Sequence, residues 1–199
     1  MGLGGGNVIW ALALGFGIGQ ADAATSLTVL VYDYANVSRA KLAEAEAFAA
    51  KSYRAAGIEL TWVECAASEA DAERFHACEQ ANDGHRLFLK IIPEKAVAGI
   101  SRSRESEDAL GIALVSYAFV LYPRVSETAG EWGLPEYVIL GRTMAHELGH
   151  LLLGANSHSA AGLMRARFNS RDLSLESGQF LFDPQQAKRL LELLHNRQR

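Results

Sequence analysis

Residues 138–153 read VILGRTMAHELGHLLL, an apolar run that contains His146, Glu147 and His150. On an α-helix, residues four apart lie on the same face, so the two histidines can direct their ring nitrogens at one point. Glu147 lies beside the first histidine, where a carboxylate can act as a general base on a water at that point. The run therefore predicts a helix that carries a metal site, with zinc as the favoured ion.

The pattern H-E-x-x-H is short, and it also arises by chance on solvated helices whose histidines bind nothing. Here the apolar surroundings are typical of a buried helix, in which each unpaired polar group costs about 1–3 kcal/mol. A metal ion is one partner for both histidines and the glutamate. Gly149, in the helix interior, also indicates that another segment packs close to the backbone there.

A catalytic zinc usually has three protein ligands and a water. His158 is the favoured third ligand, because Gly154 can end the helix in a left-handed turn and the following residues can return the chain to the metal. A carboxylate such as Glu176 stays an alternative, as in other zinc hydrolases. His76 and His195 are expected to be exposed and to bind no metal.

The motif and the residues after it resemble the metzincin metallopeptidases, and the matrixin branch in particular. The matching residues are His146–His150, Gly154, His158-Ser159 and Gly162-Leu163-Met164. The resemblance implies a zinc-dependent metalloendopeptidase with Zn²⁺ bound by His146, His150 and His158, with Glu147 as the general base and with Met164 in a methionine turn beneath the metal. It also implies an α/β (α+β) fold: a twisted, mostly parallel sheet with an antiparallel edge strand at Leu110–Val115, an active-site helix and a C-terminal helix.

Two departures from the family pattern concern the segment after the helix. The glycine falls one residue late, at Gly154, and the third histidine falls two residues late, because Asn156 stands where the pattern places it. Some metzincins have a tyrosine just after the methionine that helps to stabilise the transition state, and no tyrosine follows Met164 here. Arg165 and Arg167 are therefore candidates for stabilising a developing oxyanion, although each can equally be a surface charge. Met164 follows soon after His158, and this short segment suggests a compact variant of the family.

Hydrophobic periodicity predicts the remaining elements. Strands are expected at Leu27–Tyr34, Ile58–Val63 and Leu87–Ile92, with extended runs at Ala109–Ser116 and Ala118–Tyr122. A helix capped by Ser38 is expected to reach Ala56, which would make the first two strands parallel. The final helix begins with an N-cap box, Asp183-Pro184-Gln185-Gln186, and is expected to bury Ala187, Leu190, Leu191 and Leu194.

The beginning of the chain predicts export. Residues 8–18 form an apolar run too short to span a membrane, and Ala21 and Ala23 suit cleavage by a signal peptidase, so residues 1–23 are interpreted as a signal peptide. The two cysteines, Cys65 and Cys78, are expected to form a disulfide in an oxidising compartment. Both features favour a periplasmic or secreted protein.

Residues 24–199 are long enough for one domain with its own core, and they are interpreted as a single metallopeptidase-like catalytic domain. The formal net charge is −4, and the basic residues are scattered, so nucleic acid is not an expected partner. A monomer with no membrane span is expected, acting on a peptide or protein substrate. Two other functions stay open: an exported metal-binding or interaction module that no longer turns over, and a zinc amidase that acts on a cell-wall component.

Overall fold

The computed structural model describes residues 25–65, 86–93, 109–173 and 180–197, together with residues 1, 78, 95 and 96. The strands are β1 (Thr25–Asp33), β2 (Ile58–Cys65), β3 (Arg86–Ile92), β4 (Gly111–Leu114) and β5 (Tyr117–Leu121). The helices are α1 (Arg39–Ala55), α2 (Tyr122–Trp132), α3 (Glu136–Leu153) and α4 (Pro184–Arg197), and Ser170–Leu173 forms one 3-10 turn.

The five strands form one sheet in the order β2-β1-β3-β5-β4. Strand β1 runs parallel to β2 and β3, β3 runs parallel to β5, and β4 pairs with β5 in the antiparallel sense. The predicted α/β class, the parallel pairing of the first two strands and the antiparallel edge strand are confirmed. The edge strand is shorter than the expected Leu110–Val115, because Val115 adopts a positive φ of 49° in the hairpin turn.

The main hydrophobic core lies between the helices and one face of the sheet. Alternate strand residues such as Val29, Leu89 and Val120 point into it, as a two-residue period requires. Helix α3 contributes residues from nearly its whole circumference, so the expected buried helix is confirmed. A smaller cluster around Ile92 and Leu121 lies on the opposite face of the sheet.

Helix α2 is the element that the periodicity did not predict. It begins directly after β5, with Pro123 in its first turn, and it buries only Val125 and Ala129. Such a short helix with two buried positions gives little periodic signal. It matters because it forms one wall of the cleft described below.

The helix ends agree only partly with expectation. Ser38 occupies the N-cap of α1, but its side chain makes no capping hydrogen bond. At α4, the Asp183 carboxylate accepts from the backbone N–H groups of Gln185 and Gln186, so the predicted N-cap box is confirmed. The expected burial of Leu191 is wrong: this side chain is 38% exposed and rests over Gly57.

The predicted Cys65–Cys78 disulfide is present and ties the end of β2 to residue 78. The disulfide fits an oxidising compartment. The proposed leader lies outside the described residues. Of the helices that the structure describes, none has the length and hydrophobicity needed to cross a membrane.

Candidate metal centre

Helix α3 places two imidazoles one turn apart, His146 buried and His150 half-buried. The Nδ1 atom of His146 lies 2.8 Å from the carbonyl oxygen of Leu163. The Nδ1 atom of His150 lies 3.2 Å from the carbonyl oxygen of Gly154 and 3.0 Å from Oγ of Ser157. Both rings therefore have their Nε2 atoms free to face the same point, 3.1 Å apart.

His158 completes the group from the loop after the helix. Its Nε2 atom lies 3.0 Å from Nε2 of His150, and the candidate ligand atoms of the three histidines lie within 4.8 Å of one another. His146 is buried, His150 is half-buried and His158 is exposed, so the group opens to solvent on the side of the loop. The structure thus brings together the three histidines that the sequence predicted.

The protonation states show that this cluster suits a cation. A carbonyl oxygen can only accept, so Nδ1 of His146 and Nδ1 of His150 each carry the hydrogen. Each neutral ring then presents a bare lone pair at Nε2, and two lone pairs 3.1 Å apart cannot hydrogen-bond to each other. Two nitrogens on one tetrahedral zinc are about 3.3 Å apart, so the spacing fits a metal bound by all three rings.

The pKa values of the histidines agree with this assignment. Burial lowers the pKa of His146 to about 3, and the neighbouring His150 and Arg142 act in the same direction. Burial also lowers the pKa of His150. Neutral imidazoles are the form that binds metals, so His146 and His150 are already in the binding form at neutral pH.

Met164 packs directly against helix α3 at Gly149, the residue before His150. An ideal Cβ on Gly149 would lie 2.5 Å from Sδ of Met164 and 3.3 Å from a ring carbon of Phe182. The close approach that the glycine predicted therefore exists, and its partner is the predicted turn methionine. The carbonyl of Leu163, the residue before Met164, also accepts from His146, so the same turn supports the helix and orients its first histidine.

Glu147 lies between the helix and the edge strand. Only 6% of this residue is exposed, and an ideal Cβ on Gly111 of β4 would lie 2.5 Å from its Cγ atom. Any side chain at position 111 would displace this carboxylate. Burial raises the pKa of Glu147 to about 8, so the carboxylate needs nearby positive charge to ionise at neutral pH.

The histidines and Glu147 face a cleft of about 580 Å³. Strand β4 and the preceding Leu110 form one wall, and α2 contributes Thr128 and Trp132. Residues 166–168 also line the cleft, and the rings of Phe168 and Trp132 meet edge to face at 5.9 Å between centroids. The cleft thus combines a sheet edge, an apolar wall and the polar groups of α3.

Two arginines support the wall that carries Phe168. Arg142 is 1% exposed, and its guanidinium lies 4.1 Å from the centre of the Phe168 ring. Burial lowers the pKa of Arg142 to about 10, while the Asp172 carboxylate opposes that change. Arg165 donates to both oxygens of Asp172 at 2.9 and 2.8 Å, which makes it a support of the loop, whereas Arg167 lines the cleft.

Several features of the site carried no signal in the sequence. Gly154 ends the helix with a positive φ of 99°, as predicted, but its ψ of 166° lies outside the left-handed helical region that was expected. Ser157, Gly111 and Arg142 were not predicted, because their roles depend on contacts between distant segments. His195 is exposed, as expected. His76 and the alternative ligand Glu176 lie outside the described residues.

Comparison with models of known protein families gives no match, and no curated protein matches this sequence. The mostly parallel sheet and the three-histidine group are compatible with a zincin and with a metalloenzyme. The residues of the cleft are therefore what indicates which metal and which reaction the site supports.

Proposed function

We propose that this protein is an exported zinc-dependent metalloendopeptidase. One observation carries the proposal: three imidazole nitrogens converge beside the buried Glu147, in a cleft whose one wall is the last strand of the described sheet. A site that only binds a metal would need no more than the three histidines. This cleft also contains a carboxylate that can act as a general base and a strand that can bind an extended chain.

The donor set favours zinc. Three neutral imidazoles suit zinc among the common metals, and three protein ligands leave one coordination position for a water or a substrate oxygen. Bound zinc supplies a Lewis acid that polarises a carbonyl and lowers the pKa of a water. The predicted ligands are His146, His150 and His158.

Glu147 is proposed as the general base. It accepts a proton from the attacking water and returns that proton to the amine of the leaving product. Since burial raises the pKa of Glu147 to about 8, the metal-free protein holds it largely protonated at neutral pH. Its activity as a base is therefore expected to depend on the positive charge of a zinc ion held by the three histidines.

Strand β4 is proposed to bind the substrate backbone. It is the last strand of the sheet and pairs only with β5 among the described strands, so its outer edge can hydrogen-bond to an extended peptide. The walls formed by Trp132 and Phe168 are apolar and suit an apolar or aromatic substrate side chain. These features favour a peptide over the other amide substrates considered above.

The export part of the proposal depends on the leader and the disulfide. Cleavage after Ala23 leaves a chain that begins immediately before β1 at Thr25. The Cys65–Cys78 bridge suits an oxidising compartment. The first residue of the protein recovered from the periplasm or the medium tests this part, and an intact residue 1 on the exported form would contradict it.

The function is tested by a peptide-library digest with and without a chelator, together with the zinc content of the same samples. Glu147→Gln should retain zinc and lose cleavage, because the amide cannot accept the proton. Glu131→Gln is the matched control, since Glu131 is an exposed carboxylate on α2 beside Trp132. A Glu147→Gln protein that still cleaves peptides would remove the proposed base. A wild type that holds zinc but cleaves no peptide would instead favour the non-enzymatic module or, if it cleaves cell-wall amides, the amidase.

A further inference from the structure

The loop that leads to His158 is held by a residue of the C-terminal helix. The Nε2 atom of Gln186 donates a hydrogen bond to the carbonyl oxygen of Ser157 at 2.9 Å. The Oε1 atom of the same side chain accepts from the backbone N–H of Asp183 at 3.3 Å. Gln186 therefore uses one end of its amide to close the N-cap box of α4 and the other end to fix the residue before His158.

Ser157 itself contacts the second histidine. Its hydroxyl donates to the carbonyl oxygen of Gly154 at 2.7 Å, and its Oγ atom lies 3.0 Å from Nδ1 of His150. Because the hydroxyl hydrogen is directed at Gly154, Oγ accepts from the ring N–H of His150. Together with the Gly154 carbonyl, this bond favours the tautomer in which Nε2 of His150 presents its lone pair to the other two histidines, and it adds a second contact that orients the ring.

The ring of His158 has less support of its own. Among the described residues, no side chain or backbone group hydrogen-bonds to its Nδ1 atom, and the residue is exposed. Its placement follows from the backbone on both sides. The preceding carbonyl is bound by Gln186, and the N–H of Ser159 donates to the carbonyl oxygen of Met164 at 2.9 Å.

We propose that Gln186 and Ser157 are positioning residues for the metal centre, and that together they couple the start of α4 to His150 and His158. This inference rests on the proposed zinc site. The loop before His158 is longer than in the pattern that the sequence resembles, and the added length allows Ser157 to contact His150. Loss of either contact leaves the three histidines present but less well ordered, so the metal affinity falls while the fold is retained.

The decisive variant is Gln186→Glu. Glutamate keeps an oxygen for the N–H of Asp183, as N-cap boxes allow, but it cannot donate to the carbonyl of Ser157. The matched control is Gln185→Glu, which adds the same charge at an exposed position on the same helix turn. A negative charge near a cation should by itself raise the affinity, so a fall in affinity cannot come from charge alone.

Zinc affinity is measured on the full chain by competition with a chromogenic chelator, and thermal unfolding of the metal-free proteins is recorded beside it. Gln186→Glu should bind zinc about 10–100-fold more weakly, the range found when groups that orient metal ligands are removed. Gln185→Glu should bind at least as tightly as the wild type. Metal-free Gln186→Glu should still unfold in one cooperative transition, at a temperature only modestly below that of Gln185→Glu because it lacks one hydrogen bond.

Ser157 provides a second test that leaves α4 unchanged. Ser157→Ala should weaken zinc binding and change the visible absorption of the cobalt-substituted protein, whereas Ser157→Thr keeps the hydroxyl and should restore both. If the wild type binds zinc, and Gln186→Glu and Ser157→Ala bind it equally well, the positioning role is overturned and the zinc site stands. If the wild type binds no zinc, the proposed function itself fails.

Discussion

The helical pair, His146 and His150, and the loop histidine, His158, reach the same point by different physical means. The pair is set by the helix repeat, and its rings are oriented by the carbonyls of Leu163 and Gly154. His158 is set by backbone hydrogen bonds on either side of it, one of which comes from Gln186. The pair is therefore built into the core of the protein, while the loop histidine depends on how two later segments dock.

This difference shows which part of a metal centre tolerates variation in sequence. A residue inserted between His146 and His150 would rotate one ring by about 100° around the helix axis. The segment between His150 and His158 is longer than in the metzincin pattern that the sequence resembles, yet Nε2 of His150 lies within 3.1 Å of Nε2 of both other histidines. The loop histidine is therefore expected to tolerate a change in loop length as long as the backbone contacts on both sides of it are kept.

The largest effects are expected from removing the histidines themselves. His146→Ala, His150→Ala and His158→Ala should each abolish stoichiometric zinc retention. Only the buried His146 should also carry a stability cost in the metal-free protein, about 2–5 kcal/mol for a large-to-small core change, whereas the exposed His158 should change stability by about 0.5 kcal/mol or less. Zinc analysis and denaturant unfolding measure both quantities. If His158→Ala retained zinc, the third ligand would have to be another residue, with Glu176 as the first candidate.

Gly111 tests whether the sheet edge, and not only α3, positions the base. In Gly111→Ala the new Cβ would meet Cγ of Glu147 at 2.5 Å and the carbonyl oxygen of Phe119 at 2.8 Å. Because the backbone of β5 cannot move away easily, the carboxylate has to shift. A displacement of about 1 Å can lower kcat/KM roughly 100-fold, while zinc affinity should be unchanged. A fall in zinc affinity of the same size would show that the change disturbs the histidines instead.

Gly149 tests how closely the methionine turn supports the helical pair. Alanine favours a helix by about 1 kcal/mol over glycine, but here its Cβ would lie 2.5 Å from Sδ of the fully buried Met164. Overpacking of about 1–3 kcal/mol should outweigh that gain, so Gly149→Ala is expected to lower the free energy of unfolding. The control is Gly130→Ala on α2, where nothing lies within 4 Å and the change should stabilise. Stabilisation by both changes would mean that Met164 can move out of the way.

The smallest effect is expected at Glu46, on the helix that packs against α3. Burial, with a lesser contribution from the carboxylate of Glu64, raises the pKa of Glu46 from 4.5 to about 7. The folded state then binds the proton more tightly than the unfolded state, so this group's contribution to stability is lost as the pH rises from 4.5 to 7. Glu46→Gln should therefore become more stable than the wild type over that range, by about 1 kcal/mol or less because the side chain is partly exposed.

Chemical unfolding at pH 4.5 and pH 7.5 measures this difference, with the exposed Glu44→Gln as the control. Zinc affinity should be the same in all three proteins, which separates the stability of the helical layer from the metal centre. A pH-independent difference between Glu46→Gln and the wild type would contradict the raised pKa.

The sequence predicted the parts of the molecule that depend on local repeats. The five strands, the buried helix with its histidine pair, and the N-cap box of α4 all follow from periodicity or from residue types at fixed offsets. The disulfide followed from there being only two cysteines. Helix α2 was not predicted, since it buries only Val125 and Ala129.

The contacts that tune the site could not be predicted from the sequence, because they join segments far apart in the chain. Gln186 was recognised as a capping residue, but its second bond, to Ser157, depends on where α4 docks. Arg142 carries a charge into the core and lies over Phe168, which no helical pattern indicates. Leu191 was expected to be buried from its spacing, yet the helix turns this residue toward solvent over Gly57.

The most direct test is X-ray absorption spectroscopy of the zinc-loaded wild type, combined with zinc analysis of the same sample. We expect one zinc per chain, with scattering from three imidazole rings at about 2.0 Å and one further light ligand. The same preparation of His158→Ala should retain less than one zinc per chain. A wild-type spectrum with fewer than three imidazoles, or a protein that retains no zinc after dialysis, would contradict a metal held jointly by the helical pair and the loop histidine.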